Sequence, residues 1–191
     1  VNLLTEDNLP YYFRTVESLF GADGPWGTWV RRWTAEEGRH SMVIYGYLAA
    51  TRAIDLAHLE RGRMAQVSLG ETPSPESLHD GFVYLALQEL ATRISHRNTG
   101  LQMGDPVGYE VMKRVGSDEN LHQLFYRDLA AAAVEVDPNE MMIAMENEAY
   151  KPTLGSTPAM IENEIASGMS ARATTAPATT SRTGLPNHCC L

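Results

Sequence analysis

Cysteine is nearly absent from this chain of 191 residues: the two present, Cys189 and Cys190, are neighbours at the C-terminus. Adjacent cysteines at a chain end make a poor structural disulfide and a poor thiolate metal site. With His188 fourth from the end they also form no prenylation box. A reducing cytoplasm is the expected compartment. Long apolar runs are missing too. No stretch reaches the roughly 18 residues that would cross a bilayer, and no signal peptide opens the sequence. Positive charge is scarce. Fifteen Lys and Arg stand against 24 Asp and Glu, a formal net charge of −9 with no sustained basic stripe, which argues against a nucleic-acid partner.

What is present is enough apolar residue, 43% of the chain, to fill one well-buried core. Its spacing is helical. A long helix is expected from about Trp26 to Arg52, started by Asp23-Gly24-Pro25, with Trp29, Trp33, Glu37, His40 and Ile44 on one stripe. A shorter one follows from about Leu56 to Leu69. Ser74-Pro75-Glu76 reads as the start of a third, running to about Asn98, with Phe82, Leu85 and Ile94 sharing a face with Glu89 and Thr92. Asp105-Pro106 opens a fourth, to about Val134, and Asp137-Pro138-Asn139-Glu140 a fifth, to about Tyr150. At the N-terminus two rules compete. Local capping starts a helix near Pro10 after Asn8 and leaves Glu6 outside it, whereas the repeat described next wants Glu6 on a helix kinked at Pro10. Residues 1–150 are therefore expected to form the bundle and 151–167 a short helical or loop extension, with Pro158 to Ser167 as a candidate helix. The Ala- and Thr-rich stretch 168–191 reads as disordered or foreign to the fold.

The chemistry lies in a repeat. Glu37-Gly38-Arg39-His40 and Glu119-Asn120-Leu121-His122 each put a Glu three residues before a His, about 60° apart on one helix face. Glu6 lies 31 residues before Glu37, and Glu89 lies 30 residues before Glu119. One Glu from each of two helices and one Glu-x-x-His from each of two others is the ligand arrangement of di-iron and di-manganese carboxylate bundles. Glu37 and His40 also fall on the stripe that should be buried, where an unpartnered carboxylate costs several kcal/mol. Hard carboxylates with one imidazole per ion suit iron or manganese rather than structural zinc. Asp118, next to Glu119, is placed to accept a hydrogen bond from a ligating histidine. Trp33, one turn before Glu37, divides between support for the ligands and ordinary core. Thr92, one turn after Glu89, could relay protons, although a helix threonine more often bonds back to its own backbone. His58, His79 and His96 have no partner at metal spacing and read as structural or surface. Met141, Met142 and Met145 read as core filler.

Thr5-Glu6-Asp7-Asn8-Leu9-Pro10, Trp33-Thr34-Ala35-Glu36-Glu37-Gly38-Arg39-His40, Gln88-Glu89-Leu90-Ala91-Thr92-Arg93-Ile94-Ser95-His96 and Asp118-Glu119-Asn120-Leu121-His122 together resemble the soluble acyl-acyl carrier protein desaturases of plastids and actinobacteria, over residues 3 to 150. The resemblance implies an all-α, ferritin-like di-iron bundle, usually homodimeric. Glu6, Glu37, His40, Glu89, Glu119 and His122 would hold two iron ions (Fe2+). O2 would be consumed in placing a cis double bond in an acyl chain carried as a thioester on acyl carrier protein, with electrons from a ferredoxin-type donor. Family members carry helices before the first ligand and beyond the last, so an incomplete bundle is expected here. Gly38 stands where an asparagine is common in the family. The rival readings are another ferritin-like di-iron protein, such as a ferroxidase or a reductase small subunit with a tyrosine near its iron, and a non-catalytic remnant.

Overall fold

The computed structural model describes residues 1–70, 72 and 74–150, and among them every regular element is an α-helix. These are α1 (Asn2–Glu6), α2 (Leu9–Phe20), α3 (Gly24–Thr51), α4 (Leu56–Leu69), α5 (Leu78–Gln102), α6 (Pro106–Val136) and α7 (Pro138–Tyr150). The expectations for residues 151–191 lie outside the described residues.

Most helix starts follow from their own sequence. Asp105 accepts from Gly108 N–H, and Asp137 lies 3.4 Å from Glu140 N, each with proline at the first helical position. Asp55 caps α4 through His58 N–H in the same way. The start expected at Ser74 is displaced. Ser77 is the cap of α5, accepting from Asp80 N–H at 3.0 Å. Asp80 is itself buried and faces Asn147 of α7, so tertiary packing selects between two serines that look equivalent locally. At the N-terminus local capping holds, and Glu6 is helical but in a short helix of its own, not in one kinked at Pro10. Glu6 ends α1, Asp7 and Asn8 form the break, and Asn8 occupies the cap position of α2.

The three long helices α3, α5 and α6 carry the bundle, with α5 and α6 in the most extensive contact. Its core has two apolar layers with a polar layer between them. Going along α3, Val30 and Trp33 belong to the first layer and Ile44 to the second, with Glu37 and His40 between. Helix α6 runs the other way, from Met112 and Val115 through Glu119 and His122 to Tyr126 and Ala130. Two expectations from the sequence are corrected here. Ile94 faces outward, and of the three methionines only Met141 is core, Met142 and Met145 being exposed.

Gly38 sits inside α3 between two candidate ligands, and a Cβ there would meet only Leu9 Cδ2, at an ordinary 3.8 Å. Because mid-helix glycine costs roughly 0.5–1 kcal/mol relative to alanine, Gly38→Ala should raise the thermal midpoint by about 2–3 °C. A midpoint lowered by the substitution would show that the backbone there is not at rest as a helix.

Candidate metal centre

The polar layer gathers Glu6 from the end of α1, Glu37 and His40 from α3, Glu89 from α5, and Glu119 and His122 from α6. All six are buried. They form two overlapping groups whose candidate ligand atoms lie within 4.8 Å of one another: Glu6, Glu37, His40 and Glu119, and then Glu37, Glu89, Glu119 and His122. Glu37 and Glu119 belong to both. His122 Nδ1 lies 2.8 Å from Glu37 Oε1 and 3.5 Å from both Glu89 Oε2 and Glu119 Oε2. His40 Nδ1 lies 3.5 to 3.7 Å from oxygens of Glu37, Glu119 and Glu6. Despite this crowding, His40 Nδ1, His122 Nδ1, Glu37 Oε1 and Glu119 Oε2 are buried without a hydrogen bond of acceptable geometry. The atoms converge on points between them instead of pairing. Buried polar atoms are rarely left so, unless an ion or water completes them. Oxygen donors with one imidazole in each group suit iron or manganese, and the residues fit the expected pair of ions.

A carboxylate faces the other ring nitrogen of each histidine from across the bundle. His122 Nε2 pairs with Glu36 Oε2 on α3 at 3.0 Å, whereas His40 Nε2 lies 3.5 Å from Asp118 Oδ2 on α6 without a hydrogen bond of acceptable geometry. Each backing carboxylate immediately precedes a Glu of the opposite helix, so the unit that repeats is acid-Glu-x-x-His. Glu36 escaped the sequence reading, although its position matches that of Asp118. Burial would raise the Glu36 carboxyl, but His122 and Arg32 outweigh it and hold it below the usual range. Trp33 Nε1 donates to Glu89 Oε1 at 3.2 Å, so this tryptophan orients a carboxylate as well as filling the core. Thr92 Oγ1 lies 3.1 Å from both the Gln88 and the Glu89 carbonyls, the back-bonded arrangement. It also lines a narrow cavity of about 40 Å³ together with Glu6, Glu37, Glu89 and Glu119.

His96, read as structural or surface, is structural: it is buried, with Nε2 2.8 Å from Glu6 Oε1 and 3.3 Å from Glu119 Oε1, while Asn2 Nδ2 lies 2.9 Å from its Nδ1, so it does have partners among the candidate ligands. The signal was its place seven residues after Glu89, two helical turns along the same face. His58 and His79 stay peripheral, beside Arg61 and Asp137.

The family described as fatty acid desaturase has a sequence model that matches residues 1–170. This chain belongs to that family. DesA1 of Mycobacterium tuberculosis, named as an acyl-acyl carrier protein desaturase, is 48% identical over 149 residues, which cover 74% of this chain and 44% of that protein. The chloroplastic stearoyl-acyl carrier protein 9-desaturase 6 of Arabidopsis thaliana is 33% identical over 155 residues, 75% of this chain and 40% of that protein. The desaturase-family chain thus spans less than half the length of these curated relatives. Its fold is the ferritin-like helical bundle. The crystal structure of M. tuberculosis DesA2, also named as an acyl-acyl carrier protein desaturase, matches with a TM-score of 0.59 over 90% of this chain and 65% of that one, at 22% identity. Among the described residues no helix is long and apolar enough to cross a membrane.

Electrostatics give the desaturase-family centre a pH signature when it is stripped of metal. Burial alone would lower the His40 and His96 rings, but the surrounding carboxylates outweigh it and hold them at about 11 and about 9. Burial, reinforced by repulsion from Glu119, pushes Glu37 up and Glu89 well up. All four groups favour the protonated form when folded. The stability they contribute is complete below their unfolded values, about 4.3 for the acids and about 6.5 for the rings. It is lost as pH climbs through the folded values. A tenfold difference in proton affinity between folded and unfolded chain is worth ~1.4 kcal/mol. The thermal midpoint of chelator-treated protein should therefore fall by at least about 5 °C between pH 7 and pH 10. Protein loaded with metal should fall less. A midpoint flat over that range would contradict the assignment.

Proposed function

We propose that the chain supplies the di-iron core of an acyl-acyl carrier protein desaturase. The observation that carries the proposal is the pair of interlocked ligand groups sharing Glu37 and Glu119 in a buried layer. Fully ionised, the four buried carboxylates would carry four negative charges, which two divalent ions would neutralise; in the metal-free fold, protons on Glu37, Glu89 and the histidine rings take that place. Glu6 and His40 would hold one ion and Glu89 and His122 the other, with Glu37 and Glu119 available to both. An iron pair held by these residues would supply the O2-reducing chemistry that desaturation of an acyl chain requires.

The chain's own residues do the rest. Glu36 fixes the ring orientation of His122 through its Nε2, and Asp118 faces Nε2 of His40, leaving each Nδ1 for the centre. Trp33 holds one Glu89 oxygen and so directs the other inward. The apolar layers on either side keep water from the centre. Thr92 is the candidate proton relay. Its hydroxyl hydrogen is engaged by helix carbonyls, so its oxygen can first accept a proton from a molecule in the cavity, and rotation then lets it donate. The cavity has room for a diatomic or a water molecule but not for an acyl chain, whose channel requires further walls. The thioester substrate on acyl carrier protein, the ferredoxin-type donor, the homodimer and the cytoplasmic location belong to this same reading.

Iron per chain after anaerobic loading with ferrous ion, followed by assay of acyl carrier protein thioesters for mono-unsaturated product, tests it. About two ions per chain and a cis-unsaturated product are expected. A helical, soluble chain holding no iron would sink the proposal.

A further inference from the structure

The oxidisable rings of the core are gathered mainly on one side. Among the described residues the apolar layer beyond His40 is built from Leu3, Ile44, Leu59, Met112 and Val115, with the half-buried Tyr45 packed against it. The layer beyond His122 holds an unbroken series. Trp29 meets the His122 ring edge-on, centroids 6.2 Å apart and planes at 88°. Its Nε1 donates to Tyr126 Oη at 3.2 Å, and Tyr126 has no exposed surface at all. Tyr126 packs on Phe20 at 6.3 Å, and Phe20 stacks on Trp26 at 5.0 Å, where the half-buried indole reaches the surface. Leucine or phenylalanine would fill this space without an indole N–H and a phenol to satisfy. Three rings that give up an electron readily, with Phe20 between Tyr126 and Trp26, therefore join a candidate metal ligand to solvent in steps of 5.0 to 6.3 Å.

We propose that Trp29, Tyr126 and Trp26 form an exit route by which a surplus oxidising equivalent leaves the centre when no acyl chain is present to consume it. The inference rests on the metal reading above and adds to it a protective activity. The oxidant is the iron centre after exposure to dioxygen. One electron passes from the Trp29 indole to that centre, which is thereby reduced by one equivalent. The indole proton stays in its bond to Tyr126 Oη. One electron from Trp26, carried across Phe20 and Tyr126, refills Trp29, and Trp26 releases its N–H proton to water. A small one-electron reductant such as ascorbate, meeting Trp26 at the surface, returns the electron, and the proton is taken back. Phe20 is too hard to oxidise to hold the charge and serves as a bridge.

The test is iron-loaded full chain exposed to O2 without acyl substrate. Organic radicals would be followed by rapid-freeze EPR, and oxygen adducts on Trp and Tyr by peptide mass mapping, with bound iron measured on every sample. In the unaltered chain adducts should gather on Trp26 and decline several-fold when ascorbate is present. Trp29→Phe should cut the Trp26 adducts several-fold and move damage to the residues around His122, with iron content unchanged. Tyr126→Phe keeps the ring and removes the acceptor, and should lower the radical yield by a smaller factor. Trp26 adducts unaffected by Trp29→Phe in a chain that retains its iron would overturn the route and leave the metal reading standing. A chain that binds no iron would overturn both, since the route would then have no oxidant to serve.

Discussion

Replacing Glu119 by glutamine is expected to empty both halves of the centre, taking bound iron from about two ions per chain to near zero. The reason is its shared position: Glu119 belongs to both ligand groups, with Oε1 towards His40 and Oε2 towards His122. An amide keeps the volume but removes the charge available to both cations. Glu89→Gln touches only the group that contains His122, and Glu6→Gln only the group that contains His40, so each should leave about one ion per chain. The contrast is what makes the experiment decisive, because general loss of fold would reduce all three variants alike. Circular dichroism is the control. Burial raises the Glu119 carboxyl, while His122 and His96 draw it well below the usual range. Losing it therefore also loosens His96. If Glu119→Gln retained as much iron as Glu89→Gln, the shared assignment would be wrong even with the ligand set intact.

How much of this was legible in the sequence follows the range of the interactions. Helices α4, α6 and α7 were readable because their caps and prolines are local: Leu56–Leu69 is the span that periodicity marks, and Asp105 and Asp137 bond within three residues. Glu37, His40, Glu119 and His122 were readable as candidates because a Glu and a His one turn apart share a face whatever packs opposite, and Glu89 because its spacing to Glu119 nearly repeats that of Glu6 to Glu37. Glu36 and His96 were not, since their partners lie 86 and 90 residues away and depend on which faces the helices turn to one another. The same holds for Ser77 against Ser74, decided by the buried Asp80 beside Asn147 of α7. Glu6 was ambiguous because local capping marks the start of α2 after Asn8 but does not decide whether the residues before it form a helix of their own.

The break between α1 and α2 is held by a residue far along the chain, and breaking the contact gives the second large effect. Asp7 directly follows Glu6. Arg63 of α4 donates from Nε to Asp7 Oδ2 at 2.6 Å and from a terminal nitrogen to Oδ1 at 3.0 Å, and Ser41, next to His40, donates to Oδ1 at 2.6 Å. The Asp7 side chain is only 7% exposed, the Arg63 side chain 26%. A geometry of this kind, forked and largely desolvated, is stronger than a surface pair. The guanidinium also lies 4.6 Å above the Tyr45 ring and pairs with Glu60. Arg63→Met keeps most of the stem volume but leaves the Asp7 carboxylate buried with a single hydroxyl partner. Removing one member of such a pair costs about 3 kcal/mol or more, so the thermal midpoint should drop by roughly 6–12 °C. The loss should be uneven in function. Asp7 sets where α1 ends, and so where Glu6 points, whereas Glu89 and His122 sit on helices that Arg63 does not touch. At limiting ferrous ion the variant should therefore retain about one ion per chain, held by the group containing His122. Adding Asp7→Asn removes the orphaned charge and should recover most of the stability without restoring the second ion. Full recovery of iron in the double variant would show that Glu6 is positioned by α1 alone, and that the Asp7–Arg63 pair serves only to fasten α4.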